Sequence, residues 1–217
     1  MRFIRLGRRT AAVATAAVVA SALTAAPAAA HGRTKPPGTR SLAAVLTADR
    51  SGFDRNPRDF DILTAAVQAV LTAKPSSPVG VLADGTTKLT AFLPNDLAFR
   101  VLVADLGHSR RLPGEKAAFT AVAGLGIDTV ESVLLYHVVP GVTIDRTAAL
   151  RADGARLKTA AGSSVKVDVY GYYCKRIKLI DADRNDRDPR VIKFNVNGGN
   201  RQIGHGIDRV LRPIDLP

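Results

Sequence analysis

The sequence is poor in cysteine, methionine and tryptophan. It has one cysteine, one methionine and no tryptophan among 217 residues. A lone cysteine cannot form an intramolecular disulfide, so packing has to hold the fold together. We expect Cys174 to be buried and inert, as free cysteines commonly are. A disulfide between chains or a reactive thiol is the alternative.

Sequence motifs of the common enzyme classes are also missing. The chain contains no zinc motif of the form H-E-x-x-H or C-x-x-C, no G-x-S-x-G elbow and no G-x-x-x-x-G-K-[ST] phosphate loop. The histidines are His31, His108, His137 and His205, and they share no recognisable ligand spacing. We therefore predict a protein that has no catalytic residues, metal or cofactor. An unrecognised hydrolase that uses His137 or Cys174 is the alternative.

Acidic residues are outnumbered, and the excess of positive charge begins at the N-terminus. There are 31 lysines and arginines against 19 aspartates and glutamates, for a net charge of +12. Arginines at the N-terminus precede an uncharged stretch from Thr10 to Leu23, and Ala28 and Ala30 then fit an A-x-A cleavage signal. This order is typical of a bacterial secretory signal peptide, which we assign to residues 1–30. A retained transmembrane helix is the alternative.

The chain that remains after signal cleavage is still basic. It has 27 basic and 19 acidic residues, a net charge of +8. An exported basic protein attracts anionic polymers such as acidic polysaccharides, wall polymers or lipid headgroups, rather than nucleic acid. Charge that only keeps the protein soluble is the alternative. We expect residues 31–40, rich in proline, glycine and charge, to be a flexible leader. Residues 41–217 are predicted to form a single domain with no stable transmembrane segment.

The first half of this domain is predicted to be mainly helical. Apolar residues at spacings of three and four indicate a helix at 60–71, with Asp59 as its N-cap. Asn95 is placed to cap a second helix. A further helix is predicted at 115–122, and a D-x-x-E pattern at 128–131 predicts a capping box at the start of another.

The second half is typical of short strands. Runs of β-branched residues separated by glycine, asparagine and aspartate predict strands at 156–159, 164–170, 177–180, 191–196 and 207–211. A short apolar strand is also predicted earlier, at 89–93. The segregation of helices from strands predicts an α+β fold.

Two segments, 49–61 and 181–190, mix aspartate with arginine. The second begins like a calcium-binding EF-hand loop, because Asp181, Asp183 and Asn185 match the first three ligands. It then lacks the glycine and the bidentate glutamate that such a loop requires. We therefore interpret both segments as solvated, salt-bridged loops.

An aromatic and basic cluster lies near the middle of the second half. It consists of Tyr170, Tyr172, Tyr173, Lys175 and Arg176. Such side chains are able to stack on the sugar rings of a polysaccharide or contact another ligand. We favour strand packing with tyrosines at a sheet edge over ligand contact, because aromatic residues are common in strands.

Two segments resemble signatures of the fasciclin domain. LTAFLPNDLAFRVL, at 89–102, is similar to a strand of the type T-x-F-x-P followed by a helix with D-x-A-F, and Phe92, Pro94 and Asp96 are in place. LLYHVVPG, at 134–141, resembles the Tyr-His block of that family.

A third segment completes the resemblance. IGHGIDRVLRP, at 203–213, is similar to the closing segment of the family, with His205 and Asp208 in place. Gly204 and Gly206 flank His205 where the family has bulky apolar residues, and we expect them to loosen this strand. The three segments follow one another in the expected order, and the resemblance spans about Leu42 to Pro213, nearly the whole domain.

The resemblance implies an α+β fold in which helices pack around a wedge of two β-sheets. It also implies a noncatalytic extracellular role in adhesion, through contacts with proteins or polysaccharides. Together with the basic charge, this predicts binding to an extracellular protein, an anionic polysaccharide or a cell-wall polymer. The family's Tyr-His segment, which is linked to adhesion, maps onto Tyr136 and His137. These side chains either contact a partner or hold the fold, since a histidine at a helix end is able to bond unpaired backbone groups. A secreted carrier of a small apolar ligand, such as a lipid or pigment, is the alternative.

Overall fold

The computed structural model of the protein describes residues 36–214. The predicted signal peptide and the first half of the predicted leader lie outside these residues. The end of the leader is hydrogen-bonded to the domain. The Gly38 N–H donates to the Gly199 carbonyl at 2.8 Å, and the Gly38 carbonyl accepts from the Arg201 N–H at 2.9 Å. The folded domain therefore begins a few residues before the predicted boundary at Ser41.

Helices occupy most of the domain up to residue 136, as the apolar periodicity predicts. The α-helices are α1 (Leu42–Leu46), α2 (Asp61–Ala73), α3 (Asp96–Leu106), α4 (Glu115–Gly124), α5 (Ile127–Tyr136) and α6 (Arg146–Ala149). A 3-10 helix (Pro78–Ala83) follows α2. The helix predicted at 60–71 corresponds to α2 within two residues at each end.

The strands form two sheets. They are β1 (Leu89–Pro94), β2 (Val138–Pro140), β3 (Arg156–Lys158), β4 (Ser164–Tyr170), β5 (Arg176–Ile180), β6 (Val191–Val196) and β7 (Gln202–Ile207). One sheet has the order β2-β1-β7-β6, with β1 and β7 parallel and the other pairs antiparallel. The other sheet is antiparallel, with the order β3-β4-β5. The fold is therefore α+β with two sheets, as predicted.

The four-stranded sheet lies between two apolar cores. Because side chains alternate across a strand, Leu89, Ala91 and Leu93 of β1 face the helices. Phe92 of the same strand faces the three-stranded sheet, where it packs in a second core with Val167 and other residues of that sheet. Both faces of β1 are buried, which explains its continuous apolar sequence.

One of the two predicted side-chain caps at the starts of α2 and α3 is correct, and the other comes from a different residue. Asn95 caps α3 as predicted, and its side-chain oxygen accepts from the Ala98 N–H at 2.9 Å. The prediction that Asp59 caps α2 is wrong. The carboxylate of Asp96 caps α2 instead, accepting from the N–H groups of Ile62 at 2.8 Å and Asp61 at 3.2 Å. Packing between the two helix starts brings this acceptor from more than thirty residues away.

The predicted capping box at 128–131 is also wrong. Helix α5 follows Gly126 and has no side-chain cap. Glu131 instead accepts a hydrogen bond from the Ser77 hydroxyl at 2.5 Å and pairs with Lys74, which places it against the end of α2. A charged partner at the end of a neighbouring helix has replaced the local backbone donor.

The last strand lies earlier than predicted. Residues 202–207 form β7, whereas most of the predicted 207–211 strand is irregular. The expectation that glycines loosen β7 is wrong at Gly204, because a Cβ there would lie 2.5 Å from the Cδ1 atom of Leu93 and 3.3 Å from the Cδ2 atom of Leu42. Because Gly204 has no side chain, two core leucines fill the space beside its Cα atom.

The charged loop at 181–190 is salt-bridged but not fully solvated. The guanidinium of Arg212 pairs with Asp183 at 3.2 Å and with Asp186 at 3.1 Å, and the Arg212 N–H donates to Asp181 at 2.8 Å. The side chain of Asp183 is 1% exposed. The interpretation as a solvated loop is therefore wrong for Asp183.

The helices pack into the core and are short. Residues of α4 and α5, including Ala118, Val122 and Leu134, belong to the helix-side core. Within residues 36–214, no single helix is long and apolar enough to cross a membrane. Only α4 and α5 taken together reach that length and composition, and they are bent by 106° relative to each other.

Candidate functional site

His137 lies where α5 passes into β2. Its Nδ1 atom lies 2.7 Å from the carbonyl oxygen of Val133, one helical turn earlier. Its Nε2 atom accepts a hydrogen bond from the Leu211 N–H at 2.9 Å. Because Nε2 is an acceptor, the proton of the neutral ring lies on Nδ1 and is donated to Val133. One imidazole thus joins the end of a helix to the C-terminal segment.

The surroundings of His137 keep the ring uncharged. The residue is 4% exposed. Burial lowers the pKa of His137 from 6.5 to about 4, and the hydrogen bond to Val133 opposes only part of this effect. Both ring nitrogens have backbone partners. A general base needs a free nitrogen within reach of a substrate proton, and His137 has none.

Tyr136 points to the other side of the β1–β2 layer. Its side chain is fully buried in the core between the sheets. The hydroxyl lies 3.4 Å from the carbonyl oxygen of Ser164, a long hydrogen bond. Burial raises the pKa of Tyr136 to about 12, and the negative charge of Asp181 adds to this effect. The side chain therefore remains a neutral phenol that fills the interior.

His205, on β7, occupies a similar buried position. Its Nε2 atom lies 2.8 Å from the carbonyl oxygen of Ile144, and its Nδ1 atom accepts a longer bond of 3.4 Å from the Asn195 N–H. The ring lies between Phe92 and Phe194, with centroid distances of 6.5 and 5.5 Å. Burial lowers the pKa of His205. This histidine also bonds backbone groups of neighbouring segments.

The other signature residues make contacts within the domain. Asp208 accepts a hydrogen bond from the Arg190 N–H at 2.7 Å and donates its own N–H to the Arg190 carbonyl at 3.1 Å. The Phe92 N–H donates to the His137 carbonyl at 2.9 Å, and Pro94 ends β1.

The signature residues are therefore not a surface patch. Phe92, Asp96, Tyr136, His137 and His205 are all at most 4% exposed. A partner that docks on the folded domain cannot reach these side chains without opening it. Their positions agree with a structural role.

The aromatic and basic cluster predicted from sequence lies at the turn between β4 and β5. Tyr172 and Tyr173 are 90% and 93% exposed, and their rings meet edge to face at 4.9 Å. Strand packing is therefore the wrong interpretation for these two residues. The turn requires Gly171, whose φ is +94° and whose Cβ would lie 2.4 Å from the Cys174 carbonyl oxygen. Cys174 is exposed, so its predicted burial is also wrong.

The remaining members of the cluster extend the turn onto a sheet. Lys175 and Arg176 are exposed, and Arg176 pairs in register with Tyr170, which is half-buried. We call Tyr172, Tyr173, Lys175 and Arg176 the β4–β5 tip. The structure thus brings together these residues, which the sequence grouped, on one protruding turn.

The outer face of the three-stranded sheet continues the positive charge of the tip. The alternation of β4 turns its valines to the core and its polar residues outward. Residues on or in register with this outer face are Arg156, Lys158, Lys166, Asp168, Arg176 and Lys178. Lys178 pairs with Asp168 at 3.3 Å and Asp188 at 3.4 Å. The other four basic residues form no ion pair with residues 36–214.

The apolar interior offers little room for a ligand. A cavity of about 10 Å³ lies between the sheets, lined by Phe92, His205 and apolar neighbours. Another, of about 20 Å³, lies beside His137 and α5. Sites for small molecules usually have volumes of about 300–1,000 Å³. These two cavities are too small for the lipid or pigment that a carrier would hold.

A comparison with protein families decides the relationship that the three signatures suggested. The family model described as Fasciclin domain matches residues 60–213. The chain belongs to the fasciclin domain family. Fasciclin domains occur mostly in extracellular or surface proteins, including cell-adhesion proteins, and are generally not enzymes. Membership therefore supports a binding or adhesion role.

A solved structure supports the same fold. The chain is similar to a FAS1 domain pair from the insect cell adhesion molecule Fasciclin I, with a TM-score of 0.54 and 16% sequence identity. The match covers 81% of this chain and 51% of that structure, so this fasciclin domain protein spans about half of the pair. A search of curated proteins finds no match.

Several buried charged residues were missed by the sequence interpretation. Arg212 is 7% exposed and holds the 181–190 loop, and Asp61 and Glu115 are 8% and 4% exposed at the starts of α2 and α4. Both acids are the first residues of helices, so their position at the start of a predicted helix is a signal that could have identified them. No local signal marks Arg212, since its partners come from other segments.

Proposed function

We propose that this fasciclin domain protein is exported and binds an anionic polymer of the cell wall, cell surface or extracellular matrix, without catalysing a reaction. The signal-peptide pattern at residues 1–30 and the extracellular occurrence of the family support export. The net charge of +8 that follows cleavage favours an anionic partner.

The exposure of the β4–β5 tip is the observation that carries the proposal. Two nearly fully exposed tyrosines are costly to leave in water, and tyrosine is enriched where proteins bind partners. Lys175 and Arg176 stand beside them, so stacking on sugar rings and charge attraction are available at one place.

The outer face of the three-stranded sheet extends the basic surface from the β4–β5 tip along the strands. Arg156, Lys158, Lys166 and Arg176 have no acidic partner among the described residues, so their charge is available to carboxylates, sulfates or phosphates. An acidic polysaccharide or wall polymer that lies along the strands would meet these cations and then the tip.

Retention of the full chain on an immobilised acidic polysaccharide, across a salt gradient, tests the proposal. We expect the double variant Lys175→Ser/Arg176→Ser to lower the affinity by about tenfold, which corresponds to about 1.4 kcal/mol. Tyr172→Ser/Tyr173→Ser should weaken the part of the binding that persists at high salt, because screening weakens charge attraction more than stacking.

The matched control removes the same charge from another surface. Arg110 and Arg111 are adjacent and exposed on the loop after α3. Arg110→Ser/Arg111→Ser should leave the affinity near that of the wild type. An equal loss in both double variants would mean that net charge alone drives retention, and specific recovery of an extracellular protein instead of a polymer would redirect the proposal to a protein partner.

A further inference from the structure

Five carboxylates meet where helices α2, α3 and α4 begin. Asp61, Asp96 and Glu115 are the first residues of these helices, and Asp54 and Asp59 belong to the loop before α2. Oxygens of Asp54, Asp61 and Glu115 lie within 4.8 Å of one another, as do oxygens of Asp59, Asp61 and Asp96. The interpretation of the loop as solvated and salt-bridged is thus wrong at its helix end.

Glu115 is the member of this cluster that most needs a partner. It is 4% exposed, and neither of its carboxylate oxygens has a hydrogen-bond partner among residues 36–214. Burial raises the pKa of Glu115, and the negative charges of Asp54 and Asp59 add to this effect, while the Asp54 backbone and the charge of Arg100 oppose it. A buried carboxylate is normally hydrogen-bonded or paired, because an isolated buried charge is costly.

The neighbouring acids do not relieve this charge. Asp61 is 8% exposed and its Oδ2 atom has no hydrogen-bond donor, and the Oδ1 atom of Asp59 has none either. Asp96 already accepts the N–H groups at the start of α2. Within residues 36–214, no lysine or arginine forms an ion pair with any of the five acids. The cluster therefore has no positively charged ion-pair partner among the described residues.

We propose that Asp54, Asp61 and Glu115 bind a Ca²⁺ ion, with Asp59 beside them. A set made only of carboxylate oxygens suits a hard divalent cation. Ca²⁺ accepts six to eight oxygens in a flexible geometry, with bonds of about 2.3–2.6 Å, so it tolerates an irregular group of carboxylates more readily than Mg²⁺, which demands a near-ideal octahedron with bonds of about 2.0–2.1 Å. The remaining coordination positions are filled by water.

The ion has a path to the site from solvent. Asp54 is exposed, and a cavity of about 260 Å³ opens beside Asp61, bordered by Asp49 and Phe53. Binding there joins the loop before α2 to the starts of α2 and α4. This inference goes beyond polymer binding, since the site lies on the helices and shares no residue with the β4–β5 tip.

Calorimetric titration of the chelator-treated full chain with CaCl₂ measures the binding. We expect one ion per chain, with a Kd of about 10⁻⁴–10⁻³ M, as in extracellular calcium modules. Glu115→Gln should weaken the binding by at least about tenfold. Glu131→Gln removes the same charge from a residue that is paired with Lys74, and it should bind as the wild type does.

Thermal unfolding in CaCl₂ and in EDTA provides a second readout. Ca²⁺ should raise the Tm of the wild type, because the ion binds the folded chain. In EDTA, Glu115→Gln should unfold no earlier than the wild type, since it removes an unpaired buried charge, and it should gain nothing from Ca²⁺. A purely structural role for Glu115 predicts no such dependence on Ca²⁺.

Asp54 is exposed, so Asp54→Asn provides a second test if Glu115→Gln does not fold. It too should weaken Ca²⁺ binding by at least about tenfold. A wild-type protein that shows neither heat nor a Tm shift up to about 10 mM Ca²⁺ overturns the proposal. Binding that both variants leave unchanged also overturns it, because the ion would then lie elsewhere, and Mg²⁺ binding as tight as that of Ca²⁺ overturns the choice of ion.

Discussion

The imidazole of His137 accepts a hydrogen bond from the backbone N–H of Leu211, 74 residues further along the chain, at 2.9 Å. The same ring donates to Val133, so a single neutral histidine connects α5 to the segment that follows β7. The histidine of the Tyr-His block and the closing segment of the fasciclin domain are therefore in direct contact.

Replacement of His137 by alanine should lower the free energy of unfolding by about 1–3 kcal/mol, because the Leu211 N–H and the Val133 carbonyl lose their partner in the interior. Urea denaturation measures the change. Gln68→Ala, on the exposed side of α2, is the control and should change the stability by no more than about 0.5 kcal/mol. Equal midpoints for wild type and His137→Ala would contradict a structural role.

The stability contributed by neutral His137 should disappear in acid. The pKa of His137 is lowered from 6.5 to about 4, so below about pH 6.5 the unfolded chain binds a proton that the folded chain does not. Wild type should therefore lose about 3 kcal/mol relative to His137→Gln between pH 6.5 and about 4, at about 1.4 kcal/mol per pKa unit. The comparison with His137→Gln cancels the titration of the other groups. A difference that does not change with pH would contradict the burial of a neutral ring.

Arg212 and Arg209 offer a matched pair of ion-pair variants. Arg212→Ala should cost about 3–5 kcal/mol, because it leaves Asp183, whose side chain is 1% exposed, with an uncompensated buried charge. Arg209→Ala should cost less than about 1 kcal/mol, since its partners Asp105 and Asp186 are more exposed. Guanidinium or heat denaturation ranks the two, and similar costs would argue against burial of the Asp183 pair.

Two glycines should respond to alanine in opposite directions. Gly204→Ala should lower the stability by about 1–3 kcal/mol, because its Cβ would overlap Leu93 in a filled core. Gly124→Ala lies in α4 with open space around it and should raise the stability by about 0.5–1 kcal/mol through helix propensity. The unfolding midpoints of the two variants, compared with that of the wild type, measure these changes in stability. An unchanged stability of Gly204→Ala would mean that β7 has room for a methyl group beside Leu93.

Local features of the sequence predict much of the secondary structure. The 164–170 and 191–196 strands agree with β4 and β6, and Asn95 caps α3 as expected. These features depend on periodicity or on a hydrogen bond that reaches three residues, so neighbouring residues contain the information. The last strand was predicted at 207–211 and not at 202–207, because the glycines of β7 interrupt the apolar pattern of the strand that pairs with β1.

Burial of charged residues could not be predicted in the same way. Segment 49–61 has the composition of a solvated loop, yet Asp61 is buried because the starts of α2, α3 and α4 converge. Tyr172 was expected to pack in a strand, yet the turn after β4 holds it in solvent. In both cases the neighbours that decide exposure are distant in sequence or depend on where a turn falls.

The sequence by itself determined the family, the division into a helical half and a stranded half, and the basic net charge. The tertiary structure alone decided that Tyr136 and His137 face inward, that Asp96 caps a helix other than its own, and that Glu115 lies beside Asp54 and Asp61 with no ion-pair partner among residues 36–214. The physical reason is range: backbone propensities and caps act over a few residues, whereas burial and charge pairing depend on which elements pack together.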